Sequence, residues 1–512
     1  MFDMELRLQM LLCLCLTGVC TLILYWYYIV WLKPQSILRK LRQQGIVGPR
    51  PSFLFGNSKE IKRLQMAVNS RGGHEIKHGY TPTVFPYFDK WRKDYGPVFS
   101  YSVCNVVALH LCQTDLIREI SLSSSLSLGK ASHQKKTHEL LFGQGILKSS
   151  GEVWARQRKI LAPEFFSDKV KGMVDLMVDS ASSLLASWEE TLRGQGGSVE
   201  IEVEEELRCY SADVISRTCF GSDYVQGKDI FLKLRELQEN VSASNIFSEM
   251  FGLRFLPTKQ AREARRLNEE IKSLITKTVV RQREVDGGEQ KQQNLLQAII
   301  RSAGSDEASS FVVDNCKNIY FAGHETTAVT ASWCLMLLAL HPEWQARARA
   351  EAVELCRRGL LDATSLHKIK ILTMVIQETL RLYPPGAFVA RETLQDMDFG
   401  GIHIPKGVNI FIPVSTLHHD PTIWGSDVLE FKPERFSGGI LKACRLPQTY
   451  LPFGLGPRTC LGQHFAMVEL KVILSLLLVK FSFTLSPNYR HSPILRLIVV
   501  PEFGMQLLLK KA

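Results

Sequence analysis

Near the end of the 512-residue chain, Cys460 stands in the run Phe453-Gly454-Leu455-Gly456-Pro457-Arg458-Thr459-Cys460-Leu461-Gly462. A thiolate is a strong metal ligand and nucleophile. Gly456 and Gly462 flank it, and a residue without a Cβ lets backbone come close to a flat ligand. Backbone N–H groups after the cysteine can point at its sulfur and tune it. The apolar run from Phe465 through Leu478 reads as a helix. Cys460 therefore sits just ahead of a helix N-terminus, where the dipole favours the charged thiolate. A lone cysteine in a glycine-rich turn reads equally as a small buried hydrophobe. The complete frame, FxxGxxxCxG, favours the ligand.

A second constellation is Ala322-Gly323-His324-Glu325-Thr326-Thr327, in the middle of the apolar segment Phe311 to Leu340. Thr326 can bond back to the carbonyl four residues earlier and loosen the helix there. Gly323 leaves space for a close approach. An alcohol beside a carboxylate suits a proton relay, although a capped or kinked helix with incidental polar groups has the same letters. His324 is expected off the face of Glu325, packed rather than ligating. Glu378 and Arg381 lie one turn apart, so their side chains can meet. Arg435 follows in Pro433-Glu434-Arg435-Phe436. Trp154 and Arg158 share a helical spacing, and Arg391 follows Tyr383-Pro384-Pro385.

The elements that must position these groups are mainly helical. Long amphipathic stretches run through 169–190, 231–239 and 260–283, and short strands are expected at 98–101 and 106–111. No repeat and no second domain boundary interrupts the body. Met10 to Leu32 is uncharged and ends in Tyr25, Trp26, Tyr27, Tyr28 and Trp31. At ~1.5 Å per residue it can cross a bilayer of ~30 Å. Lys33, Arg39, Lys40 and Arg42 follow it, which puts the body on the cytosolic side. The expected layout is a short lumenal N-terminus at 1–9, an anchor at 10–32, a basic and proline-bearing linker at 33–52, and a catalytic domain at 53–512. The formal charge is +11, but Lys and Arg are scattered without a basic tract, which argues against nucleic-acid binding. The 12 cysteines include no CxxC pair, which excludes a disulfide scaffold.

On these motifs, in this order along the chain, the sequence resembles the cytochrome P450 family. The resemblance implies a mainly α fold with small β-sheets behind a single transmembrane helix. It implies haem b held by the Cys460 thiolate, a ligand that favours O–O cleavage in dioxygen. Glu325 and Thr326 would relay protons. Trp154, Arg158, Arg391, Phe453, Gly456, Arg458 and Gly462 would hold the haem, the arginines by its propionates. Glu378, Arg381 and Arg435 would lock the core. The runs FVVDNCKNIYFAGHETTAVTASWCLMLLALHPEWQ, TMVIQETLRLYPP and YLPFGLGPRTCLG resemble plant members that oxidise terpenoids and hormones, in particular a branch that includes gibberellin oxidases. That implies a monooxygenase of the endoplasmic reticulum membrane acting on a hydrophobic small molecule. No nucleotide-binding glycine fingerprint is present, so NADPH would act through a cytochrome P450 reductase. Phe321, Ala322, Gly386, Ala387, Phe388, Val389 and the stretch 126–145 are the expected substrate contacts. A peroxide-rearranging enzyme of the same fold, or a non-enzymatic haem sensor or electron carrier, are the competing classes.

Overall fold

A computed structural model of the chain describes all residues except 1, 70–75, 124–125, 133–137, 222–223, 243–257, 286–293, 303–307 and 358–360. Parts of the expected substrate stretch 126–145 and the polar break at 286–293 therefore lie outside the described residues.

The chain opens with helix α1, Phe2–Tyr27, which passes through a π-helical turn, Tyr28–Leu32, into α2, Lys33–Gln43. Pro34 explains the wide turn. Proline lacks an N–H and its ring presses on the carbonyl four residues back, so a π-turn there lets the helix continue rather than break. The span Leu6–Gln43 is the one described helix long and apolar enough to cross a membrane. The segment read as a stiff linker is thus structured. Leu38 and Leu41, one turn apart, are buried in the core beneath the main sheet. Beyond α2, Ser100 N donates to Val47 O at 3.0 Å. A Cβ at Gly48 would lie 1.8 Å from Ser100 O, so this segment is sewn to the sheet.

Strands β1, Val98–Val103, and β2, Val106–Leu111, pair antiparallel as a hairpin. With β3, Leu128–Gly129, β5, Phe388–Thr393, and β6, Asn409–Pro413, they form a sheet in the order β1-β2-β6-β5-β3. Only β2 and β6 run parallel. A smaller sheet joins β4, Ser198–Glu202, to β7, Phe481–Leu485, through the C-terminal β8, Gln506–Lys511.

The rest is helical. The helices used below are α3, Gly151–Leu161; α4, Val203–Phe220; α5, Ala308–Leu340; α6, Ile371–Leu382; and α7, Gln463–Lys480. α5 is apolar on nearly every side and buried from Val312 to Leu338 except at Ala322, Gly323 and Thr326. A helix with no polar face belongs in the middle of a protein, and α4, α6 and α7 all pack against it. Two apolar cores result: a large one among the helices and a smaller one under the main sheet.

Candidate haem-thiolate site

Cys460 sits at the end of a loop closed by its own backbone: Cys460 N donates to Phe453 O at 2.8 Å, and Thr459 N to Gly456 O at 3.0 Å. Gly456 has φ +64°, and a Cβ there would lie 2.6 Å from Ser121 O. Its small size serves contact with the neighbouring chain, as well as the turn. Gly462 has ordinary φ and caps α7, just beyond the Cys460 sulfur. The sulfur is accessible, yet enclosed by protein. Burial pushes the thiol up, and the Gly462 N–H and the Arg158 guanidinium oppose that push.

Around it gather cations from four separate elements. Arg158 on α3 donates to Thr459 O at 2.8 Å. The guanidinium of Arg458 lies 4.3 Å from the centre of the Trp154 ring and donates to Ser149 O at 3.0 Å. Its Nε and Nη2 are buried with no hydrogen-bond partner. Arg391 on β5 is buried, and among the described residues its guanidinium bonds only the neighbouring carbonyl of Ala390. Lys130, directly after β3, completes the group. Burial lowers Arg391 to about 10. Burial, then Arg391 and Arg158, lower Arg458 to about 9. Lys130 falls well below its usual value for the same reasons, burial first and then Arg391, Lys148 and Arg458. Among the described residues no carboxylate pairs with Arg158, Arg391, Arg458 or Lys130. Buried cations without counter-charge are costly. Orphaned guanidinium donors beside a thiol fit a ligand that brings its own carboxylates and a metal, as haem does with its two propionates. Lys130 was not legible in the sequence, because the strand beside it is two residues long and nothing local marks its charge.

On α5, Thr326 Oγ1 donates to Ala322 O at 2.8 Å, as the spacing required. Glu325 does not turn toward that hydroxyl. Its Oε2 lies 3.3 Å from Arg208 Nε on α4, and its Oε1 3.3 Å from His324 Nε2. The expectation that His324 stands clear of Glu325 is therefore corrected: long side chains at adjacent positions bend together. The ring's Nδ1 meets Tyr320 O at 2.6 Å, so His324 is a packed, bonded residue as read. Burial raises the Glu325 carboxyl, but His324, Arg208 and Arg235 outweigh it and hold it at about 2. Arg208 also holds Glu204, at 2.5 Å. These groups border a polar cavity of about 190 Å³ behind α5, lined also by Arg235 and Glu502. Sequence reasoning missed Arg208, whose partner is 117 residues away. Gly323 has a different function from the one expected. A Cβ there would meet Ile215 of α4 at 2.3 Å, so the glycine serves helix packing.

Glu378 and Arg381 on α6 are fully buried and joined twice, at 2.7 and 2.8 Å. Arg381 also donates to the carbonyls of His418, Val428 and Glu430. Arg435 approaches Glu378 at 3.4 Å, an ion contact without hydrogen-bond geometry, and donates to Trp424 O and Asp427 O.

Of the expected substrate contacts, Phe321 is buried edge-on against Phe142, with ring centres 5.0 Å apart. Ala322 and Phe388 are partly open, and Ala387 is buried. The Phe388 ring packs against Phe85 and Phe88. Val389 is a correction: strand alternation sends it into the core under the sheet. Gly386 is exposed.

Comparison with known proteins places this geometry. The family model for Cytochrome P450 matches residues 73–509. Cytochrome P450 714B2 of Oryza sativa subsp. japonica is 56% identical over 518 residues, covering 96% of this chain and 95% of that protein. Cytochrome P450 714B3 of Zea mays is 56% identical over 524 residues, covering 99% and 97%. Cytochrome P450 714A2 of Arabidopsis thaliana is 42% identical over 509 residues, covering 96% and 97%.

Proposed function

The chain belongs to the cytochrome P450 family and is a monooxygenase, and from that premise we propose that it inserts one oxygen atom from O2 into a hydrophobic terpenoid such as a gibberellin, a kaurenoid or a triterpenoid. The observation that carries the haem assignment is the thiol of Cys460 beside arginines, Arg391 buried and Arg158 and Arg458 partly so, that have no carboxylate partner among the described residues. Haem bound there supplies an iron that takes up and activates dioxygen.

Cys460 would supply the sulfur that binds the iron, with the Gly462 N–H and Arg158 favouring its charged form. Arg158, Arg391, Arg458 and Lys130 would hold the propionates, and Trp154 supports the guanidinium of Arg458. Phe453 and Gly456 shape the loop. Thr326 holds a proton at its Oγ1 and can release the Ala322 carbonyl to a water. Glu325 reaches that position only by leaving Arg208, so its part in the relay includes breaking that pair. Glu378, Arg381 and Arg435 lock the core. The apolar anchor supports a single-pass place in the endoplasmic reticulum membrane with the body cytosolic, and electrons arrive from a membrane-bound NADPH–cytochrome P450 reductase.

Microsomes carrying the chain and a reductase, incubated with NADPH, O2 and a terpenoid panel, test the proposal. Oxygenated product that needs the reductase supports it. Product from added peroxide alone, with none from NADPH and O2, refutes it. Thr326→Ala should leave haem bound and lower the product formed per reducing equivalent about ten-fold, the balance appearing as peroxide. Unchanged coupling would remove Thr326 from the relay.

A further inference from the structure

The first half of α5 carries Asp314, Asn315, Lys317 and Asn318, all buried, in a segment that is otherwise apolar. They do not face the polar cavity behind Glu325. They grip the backbone of the segment that leads into α3. Gln144 N donates to Asp314 Oδ2 at 2.9 Å, Ile146 N to Asn315 Oδ1 at 3.1 Å, and Leu147 N to Asn318 Oδ1 at 2.8 Å. Asn318 Nδ2 donates to Phe142 O at 2.8 Å, and Lys317 Nζ to Leu140 O at 3.0 Å. The fit is close. Gly143 has φ +53°, and a Cβ there would lie 2.1 Å from the Asp314 carboxyl; at Gly145 it would lie 2.5 Å from Asn318 Nδ2.

The loop is gripped from its other side too. Gln157 on α3 donates to Gln144 O at 2.9 Å, and Arg458 bonds Ser149 O. One loop thus ties the helix bearing Thr326 to the cations around Cys460. What it presents between those ends is Phe142, seated on Phe321, the residue before Ala322.

We propose that Asp314, Asn315 and Asn318 are specificity-positioning residues: by holding residues 142–147 against α5 they fix Phe142 as a wall of the substrate chamber and so set which bulky hydrophobic molecules reach the oxygen-binding face. The inference rests on the monooxygenase reading above and deepens it. Side-chain acceptors suit this task because a backbone N–H has fixed direction, and a buried one left unpaired would have to move.

Two iron-ligating probes test it on the full-length haem protein: imidazole, small enough to report iron access alone, and clotrimazole, which must pass the chamber walls. Asn315→Leu and Asn318→Leu keep the branched shape of the side chain and remove its acceptor and its amide donor. Each should weaken clotrimazole about five-fold relative to imidazole, the size of one lost hydrogen bond. Amide exchange at 144–147 should quicken about ten-fold. An unchanged probe ratio, or unchanged amide exchange at 144–147, overturns the proposal. If the leucine variants fail to load haem, Phe142→Ala decides: it should shift the same ratio with the latch intact, and no shift overturns the assignment of Phe142 as the wall. A parent protein whose Soret band ignores imidazole would overturn the haem reading and this inference together. A normal imidazole response with an unchanged ratio overturns this inference alone.

Discussion

Two of the charge clusters inside this molecule are built oppositely. Around Glu378 the charges close on themselves: a carboxylate meets two guanidiniums, and the remaining donors of Arg381 end on carbonyls. Around Cys460 they do not. Burial lowers Arg391, Arg458 and Lys130, Arg391 lowers the other two further, and Arg458 keeps two donors without partners. The closed cluster holds chain to chain. The open one holds a place for an anion. The difference separates a structural network from a ligand site without reference to any motif, because an unpaired buried charge persists only where something else pairs it.

The comparison can be broken by substitution. Cys460→Ser should abolish turnover and the red-shifted Soret band of the reduced, carbon monoxide-bound protein; that band persisting in folded Cys460→Ser would defeat the ligand assignment. Glu378→Ala should destabilise the fold by about 3–5 kcal/mol, since Arg381 would stay buried without a counter-charge. Denaturant unfolding of the variant checks this, and added haem should not restore the loss. Arg458→Ala should do the reverse: speed haem transfer to apomyoglobin about ten-fold while costing the haem-free chain little, because it removes an unpaired charge. Equal loss in both forms would erase the distinction between the clusters.

A third buried charge sharpens the contrast at the smallest scale. Glu469 on α7 is fully buried with neither oxygen hydrogen-bonded, and burial raises its carboxyl from 4.5 to about 8. It stays neutral by keeping its proton. The native state therefore binds more protons than the unfolded one between those values, and stability should fall as pH rises through that interval. Glu469→Gln, which mimics the neutral acid, should flatten that slope; unfolding measured from pH 5 to 8 decides.

What the sequence disclosed follows distance along the chain. The loop around Cys460, the Thr326–Ala322 bond and the Glu378–Arg381 pair each lie within a few residues, where helix and turn geometry alone fixes who meets whom. Arg208 and Lys130 escaped because their neighbours come from distant segments. The latch on α5 escaped for a related reason: Asp314, Asn315 and Asn318 bond backbone, which carries no sequence signal at the receiving end. The helix Lys33–Gln43 within the linker also escaped, because only the sheet shows what its two leucines one turn apart bury against.

The unbroken passage from α1 through the π-turn into α2 bears on mechanics. A body hung on a floppy tether would roll freely above a bilayer. In a bilayer that this helix spanned, the emerging shaft would be the same rod that is bolted, through Leu38 and Leu41, beneath the main sheet. Its 38 helical residues from Leu6 to Gln43 measure about 57 Å at ~1.5 Å each. Tilt of the rod becomes tilt of the body, and spin about the rod's axis is the motion left over. A partner diffusing in the same membrane then meets this enzyme at one height and searches a single angle.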